Sequence, residues 1–211
     1  MTSCFGPKRI DKWVAKHYNN EIPPATKKKV DNIAITTDLK AKNDRISNSV
    51  AKENKMLPLL FYWQWHYDFA ATLNPQIPFN NFTSTVVSYS NKSLKQKLIG
   101  KRIELTVNNV PHIFDIEEQG WMVWVIFGHF GKDVMTIQPE SRNLVVTYRL
   151  LKDDNTEIKS GVITIQNPNK DVELKMFQSL KKKTAKHLDD YDANMTAMSK
   201  MFVDQLVAEL E

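Results

Sequence analysis

The chain is short of cysteine, of glycine and of long apolar runs. Among 211 residues there is one cysteine, Cys4. A single thiol excludes an internal disulfide framework and any zinc site built from several cysteines. Six glycines leave little material for a glycine-built active site, and neither a GxSxG elbow nor a phosphate-cradling glycine loop occurs. No stretch approaches the ~20 consecutive apolar residues of a membrane-spanning helix. Charge of one sign is lacking too: 29 Lys and Arg stand against 24 Asp and Glu, far from the dense basic stripe of a nucleic-acid binder. What is present is a hydrophobic fraction of 42%. A chain of this length buries about 70% of its extended surface on folding, so it needs no disulfide or metal staple.

The most distinctive stretch is LLFYWQWHYDFAATL, residues 59–73. Its odd positions, from Leu59 through Phe61, Trp63, Trp65, Tyr67 and Phe69 to Leu73, are apolar. Its even positions include Tyr62, Gln64, His66, Asp68 and Thr72, which are mostly polar or small. Strand side chains alternate faces, so the period of two predicts one long strand with an apolar face that needs a cover. Residues 82–98 supply that cover: Phe82, Val86, Tyr89, Leu94 and Leu98 recur at three- and four-residue steps, with Asn80 or Asn81 as N-cap and Gly100 as stop. Where the helix leaves the row uncovered, Trp63, Trp65 and Tyr67 are candidates for an apolar or sugar-stacking groove. On the opposite face His66 and Asp68 lie about 7 Å apart and, with Gln64, form a candidate polar site. Joined by His112 or His129, they would make a two-histidine, one-carboxylate set.

Elsewhere the pattern alternates between strand and helix. Residues 8–18 place Ile10, Trp13, Val14 and Tyr18 at helical spacing among Lys8, Arg9, Lys12 and Lys16, a basic amphipathic helix suited to a membrane surface or to docking on its own domain. Pro23-Pro24 and three lysines then break the chain, so residues 1–29 read as an N-terminal tether and residues 30–211 as the domain. A first strand carries Ile33 and Ile35. Residues 40–57 are polar, a loop with a short helix near Ile46 and Val50. After Gly100 strands dominate. Gly120 separates one from WMVWVIFGHF, whose two apolar faces predict a central strand buried on both sides. Residues 143–151 and 157–166 flank the turn KDDNT as a hairpin. Two helices close the chain, the first marked by Met176, Phe177, Leu180 and Leu188, the second by Tyr191, Met195, Met198, Phe202 and Leu206. The expected fold is α+β: a single domain with an antiparallel or mixed sheet of six to eight strands and helices mainly on one face.

FYWQWHYDFAATLNPQIPFNNF, the helix after it and the closing YDANMTAMSKMFVDQLVAEL resemble small uncharacterised lipoproteins of the Bacteroidota. The order of elements is similar, more distantly, to TolB amino-terminal-like domains of periplasmic accessory lipoproteins. Met1-Thr2-Ser3 before Cys4 resembles the end of a bacterial lipoprotein signal, although the positively charged and apolar regions of such a signal do not precede it. The resemblance implies lipid attachment at Cys4, a membrane-anchored periplasmic location, and an envelope protein or lipid as partner. FGPKRI after Cys4 is basic where surface-exported relatives carry acids, which fits the periplasmic side. A second candidate binding surface is the helical run of Lys181, Lys182, Lys183 and Lys186 beside His187, suited to lipid or lipopolysaccharide phosphates. Met195, Met198 and Met201 fill core gaps or form an adaptable docking groove. No HExxH, DxDxDG or RNP-like motif occurs, so no metal, cofactor or nucleic acid is expected. The expectation is a non-catalytic envelope binding module; the alternative is a hydrolase or metal-dependent enzyme working from His66 and Asp68.

Overall fold

A computed structural model describes residues 6–28, 30, 32–41, 43–90, 92–174 and 178–210. It shows an α+β fold with two sheets around one core. Along the chain come α1 (Pro7–His17), β1 (Ile33–Thr37), β2 (Ser47–Leu59), β3 (Tyr62–Leu73), α2 (Gln76–Tyr89) and α3 (Lys92–Lys97). They are followed by β4 (Lys101–Asn109), β5 (Ile113–Val125), β6 (Gly128–Pro139), β7 (Leu144–Lys152), β8 (Glu157–Ile165), β9 (Val172–Leu174) and α4 (Leu180–Glu209).

The strands divide between a four-stranded sheet in the order β1-β4-β7-β8 and a five-stranded sheet in the order β2-β3-β5-β6-β9. Every pairing is antiparallel except β1 with β4. Among the described strands the chain changes sheet five times, two of them through Val110-Pro111-His112 and through residues 140–143. Asn109 Nδ2 donates to the Asn143 carbonyl at 3.2 Å, tying these two crossings together. Both sheets share their apolar faces with the helices in one cluster. Ile103, Leu105 and Val146 contribute from the first sheet and Phe69, Leu73 and Ile116 from the second, against Phe82, Met198 and Phe202. The Phe82 and Phe202 rings, both fully buried, lie 5.3 Å apart and bind α2 to α4.

Several expectations are corrected at the level of elements. Residues 7–17, within the segment read as a tether, dock on the body, the second of the two expectations for this helix: Ile10 and Val14 are fully buried, and Asp11 accepts hydrogen bonds from the Ser47 and Ser49 hydroxyls of β2 at 2.8 and 2.7 Å. The helix starts with Pro7 and ends at Asn19 and Asn20, both left-handed, which leads the chain away before Pro23. The polar residues 47–57 form β2. It is an edge strand, where solvent-facing Lys and Pro58 are tolerated because the outer backbone edge needs no partner. The helix expected over residues 82–98 is two helices, α2 beginning six residues early at Gln76. Ser90 donates its hydroxyl back to the Val86 carbonyl at 2.6 Å and ends α2. Asn80 is interior to α2 and donates to the Pro23 carbonyl instead of capping. The two closing helices are one, because Asp189 and Asp190 fall on its exposed side and do not interrupt the buried stripe. Met176 and Phe177 lie outside the described residues.

Candidate functional site

The five-stranded sheet is longer than the helices that cover it. Phe69, Ala71 and Leu73 of β3, Phe114 and Ile116 of β5 and Ile137 of β6 are buried against the body. Beyond Phe69 the helices stop, while β3 continues for seven more residues to Tyr62, about 20 Å at the usual rise per residue. The result is a four-stranded extension of β2, β3, β5 and β6 ending in two hairpin turns, at Leu60-Phe61 and Ile126-Phe127.

Register places the side chains of this extension in rows. Leu59, Tyr62, Val123 and Phe130 stand side by side on one face, and Pro58, Trp63, Met122 and Gly131 on the other. Leu57, Gln64, Trp121 and Lys132 form the next row back. The two turns are joined where the Trp124 amide donates to the Phe61 carbonyl at 2.7 Å, and the Trp124 ring lies 5.3 Å from that of His129. Phe127 is 99% exposed, Ile126 93% and Leu60 89%. WMVWVIFGHF is therefore apolar on both faces without being a central buried strand. It is the end of β5, the turn and the start of β6, exposed on both sides, and Gly120 lies inside β5.

Of the candidate aromatics, all half-buried on the helix-side face, Tyr67 packs against the core and Trp63 and Trp65 lie further out on the extension. Trp65 folds over Gly120 directly across the strand pair, where a Cβ would overlap its indole. Along β3, Tyr67 lies next to the body, Trp65 in the middle of the extension and Trp63 one row from its tip.

Of the polar candidates, His66 is held between two carboxylates. His66 Nδ1 lies 2.9 Å from Glu53 Oε2 and its Nε2 2.9 Å from Glu117 Oε1. Glu117 also accepts from Gln138 Nε2 at 3.0 Å. An imidazolium donates to both carboxylates, a neutral ring to one. Asp68 sits beside this chain of contacts, its carboxyl raised above the usual range by burial and by Asp115 and Glu117, with Lys52 and His66 opposing. Lys52 itself pairs with Asp115. Gln64 is exposed further out, 3.4 Å from the Tyr62 hydroxyl. The two-histidine set is not assembled. His129 lies on the other face at the tip, and His112 donates Nδ1–H to the Val110 carbonyl at 2.9 Å on the crossing between sheets. Among the described residues no group of three or more His, Cys, Asp and Glu side chains is arranged to hold a metal ion.

The lysine run does not form one face. Lys181, Lys182 and Lys186 are exposed in the first turns of α4, Lys183 is half-buried, and His187 is buried beside Phe114 with its pKa lowered to about 4 by burial. Cys4 lies outside the described residues. A concavity of about 310 Å³ between Pro23-Pro24, α2 and α4 was not legible in sequence. Its lining amides bond within the protein: Asn80 to the Pro23 carbonyl at 2.7 Å and Asn81 to that of Asp192 at 3.2 Å. Among the described residues no helix is long and apolar enough to cross a membrane. No protein-family model, curated protein or solved structure matches the chain.

Proposed function

We propose that the protein is a non-catalytic binding module of the cell envelope, lipid-anchored through Cys4, which engages an envelope partner through the apolar extension of its five-stranded sheet. One observation carries the reading: Leu60, Phe61, Ile126 and Phe127, four large apolar side chains, stand in water at the ends of two adjoining hairpins. Burying such side chains yields about 1.5–3 kcal/mol each, and contiguous exposed apolar surface of this kind marks interaction sites. Glu53, His66, Glu117 and Gln138 contact one another across four strands, which supports a structural role for these four.

Site-specific photo-crosslinking in living cells tests the reading. A benzoylphenylalanine residue replaces Phe61, Phe127 or, as control, Val162, which is 62% exposed on β8 of the other sheet. Protein or lipid adducts are expected at residues 61 and 127 and not at 162. Adducts equal at all three positions, or none at the tips, would overturn it.

A further inference from the structure

The occupant of the extension can be named from its shape and charge, taking as given the reading that the extension is the binding surface. We infer that it docks on the interface of an anionic phospholipid bilayer, with the two hairpin turns entering the headgroup and upper acyl region.

Three observations converge. The first is that the apolar surface wraps both faces and the end. Val123 and Phe130 lie on one face, Trp63 and Met122 on the other, and Ile126 and Phe127 at the tip. A folded partner covers one face of a sheet; a surrounding medium wets both faces and the end together. The second is the order of side chains with distance from the tip. Leu, Ile and Phe come outermost, then Tyr62, Trp63 and Trp124, and then Trp121 level with the first full charge, Lys132. That is the order met on passing from acyl chains through the aromatic belt to headgroups.

The third is charge. Residues 54–65 and 119–132 contain no carboxylate, and their only full charges are Lys55 and Lys132, with His129 as a titratable third. Both lysines are exposed; Lys55 is ion-paired with Glu53, and Lys132 sits at headgroup depth if the turns are immersed. Acids border these segments on the side away from the tip, at Glu53, Glu118 and Asp133. An exposed cation at this depth is drawn to an anionic surface, so the rim at Lys132 is complementary to negatively charged lipid.

The backbone sets the depth. Among the described residues β2 has a partner on one side only, and β6 is paired on its outer side only at residues 135–137. Both outer edges of the extension therefore carry unpaired amides and carbonyls. An open edge in hydrocarbon is costly, so the sheet enters one leaflet by its turns and does not span.

The test uses the full chain with Cys4→Ser, so that only the extension reads the membrane. It is floated with vesicles of phosphatidylglycerol and phosphatidylethanolamine, or of phosphatidylcholine alone, and tryptophan fluorescence is followed with brominated acyl chains. Co-flotation with the anionic vesicles and quenching are expected. Phe61→Asp or Phe127→Asp should weaken binding about tenfold or more, the loss of roughly one buried aromatic ring. Lys132→Glu should weaken it on anionic vesicles only. These positions bury little, and unchanged circular dichroism would show that the variants fold. No association with either vesicle overturns the inference, as does vesicle-independent self-association abolished by the same variants. If vesicle binding fails while residues 61 and 127 still crosslink to a protein in cells, the lipid inference falls and the binding-module reading stands. If both experiments fail, both fall.

Discussion

At the residue scale, His187 shows how the fold alters chemistry. Its ring is buried beside Phe114, and burial lowers its pKa from 6.5 to about 4, with Asp190 opposing. The unfolded chain therefore takes up the proton first. The stabilising contribution of the neutral ring is whole above about pH 6.5 and is lost as pH falls towards about 4, a total of about 3 kcal/mol from this group. Denaturant unfolding at pH 7 and pH 4.5 should show the loss, and His187→Leu should flatten that part of the profile. An unchanged profile in the variant would assign the acid sensitivity to other groups. Asn155, in the β7–β8 turn, has φ of +67°. A β-branched residue there pays the left-handed penalty, so Asn155→Val should cost about 1–2 kcal/mol and Asn155→Gly close to nothing, as read from denaturation midpoints.

At the scale of elements, α1 provides the sharpest test. Its charge pattern is legible in sequence as basic and amphipathic, but whether the apolar stripe of Ile10 and Val14 faces lipid or protein is not. The decision is made by β2, whose Ser47 and Ser49 hydroxyls reach Asp11 from a distant part of the chain. Ile10→Ala should cost about 2–5 kcal/mol as a large-to-small core change, whereas truncation on a loose tether would leave the melting temperature where it was. The β7–β8 hairpin rests on a cross-strand pair of a different kind. Gly161 faces Tyr148, and a Cβ there would come within 2.8 Å of the Tyr148 ring. Tyr148 also donates to Glu209 near the end of α4 at 3.3 Å. Gly161→Val should displace the ring and lower stability by about 1–3 kcal/mol, the range for overpacking, measured by thermal unfolding. Of the helix boundaries, the start of α4 at Ser179 is a side-chain cap that accepts from the Lys182 amide. The end of α2 hangs on the Ser90 back-bond, which the spacing of apolar residues gives no sign of.

At the scale of the molecule, the apolar extension contributes to binding and not to stability. Leu60, Ile126 and Phe127 bury almost nothing, so Ile126→Ser with Phe127→Ser should leave unfolding free energy within about ±0.5 kcal/mol per site while reducing dye binding and association at high protein concentration. A marked fall in melting temperature would mean that these side chains pack against the body.

The sequence by itself determined the α+β class, the faces of β3 and the β7–β8 hairpin, because alternation, helical spacing and turn composition are local properties of the chain. It also showed that residues 121–130 are apolar on both sides. Only the tertiary structure decided that the strands separate into two sheets, and that the helices reach Phe69 but not Tyr62. Period two reports which side chains share a face; it carries no information about what covers that face. A strand buried on both sides and one standing in water on both sides have the same pattern. The difference lies in how far α1, α2 and α4 extend along the sheet, which contacts distant in sequence set.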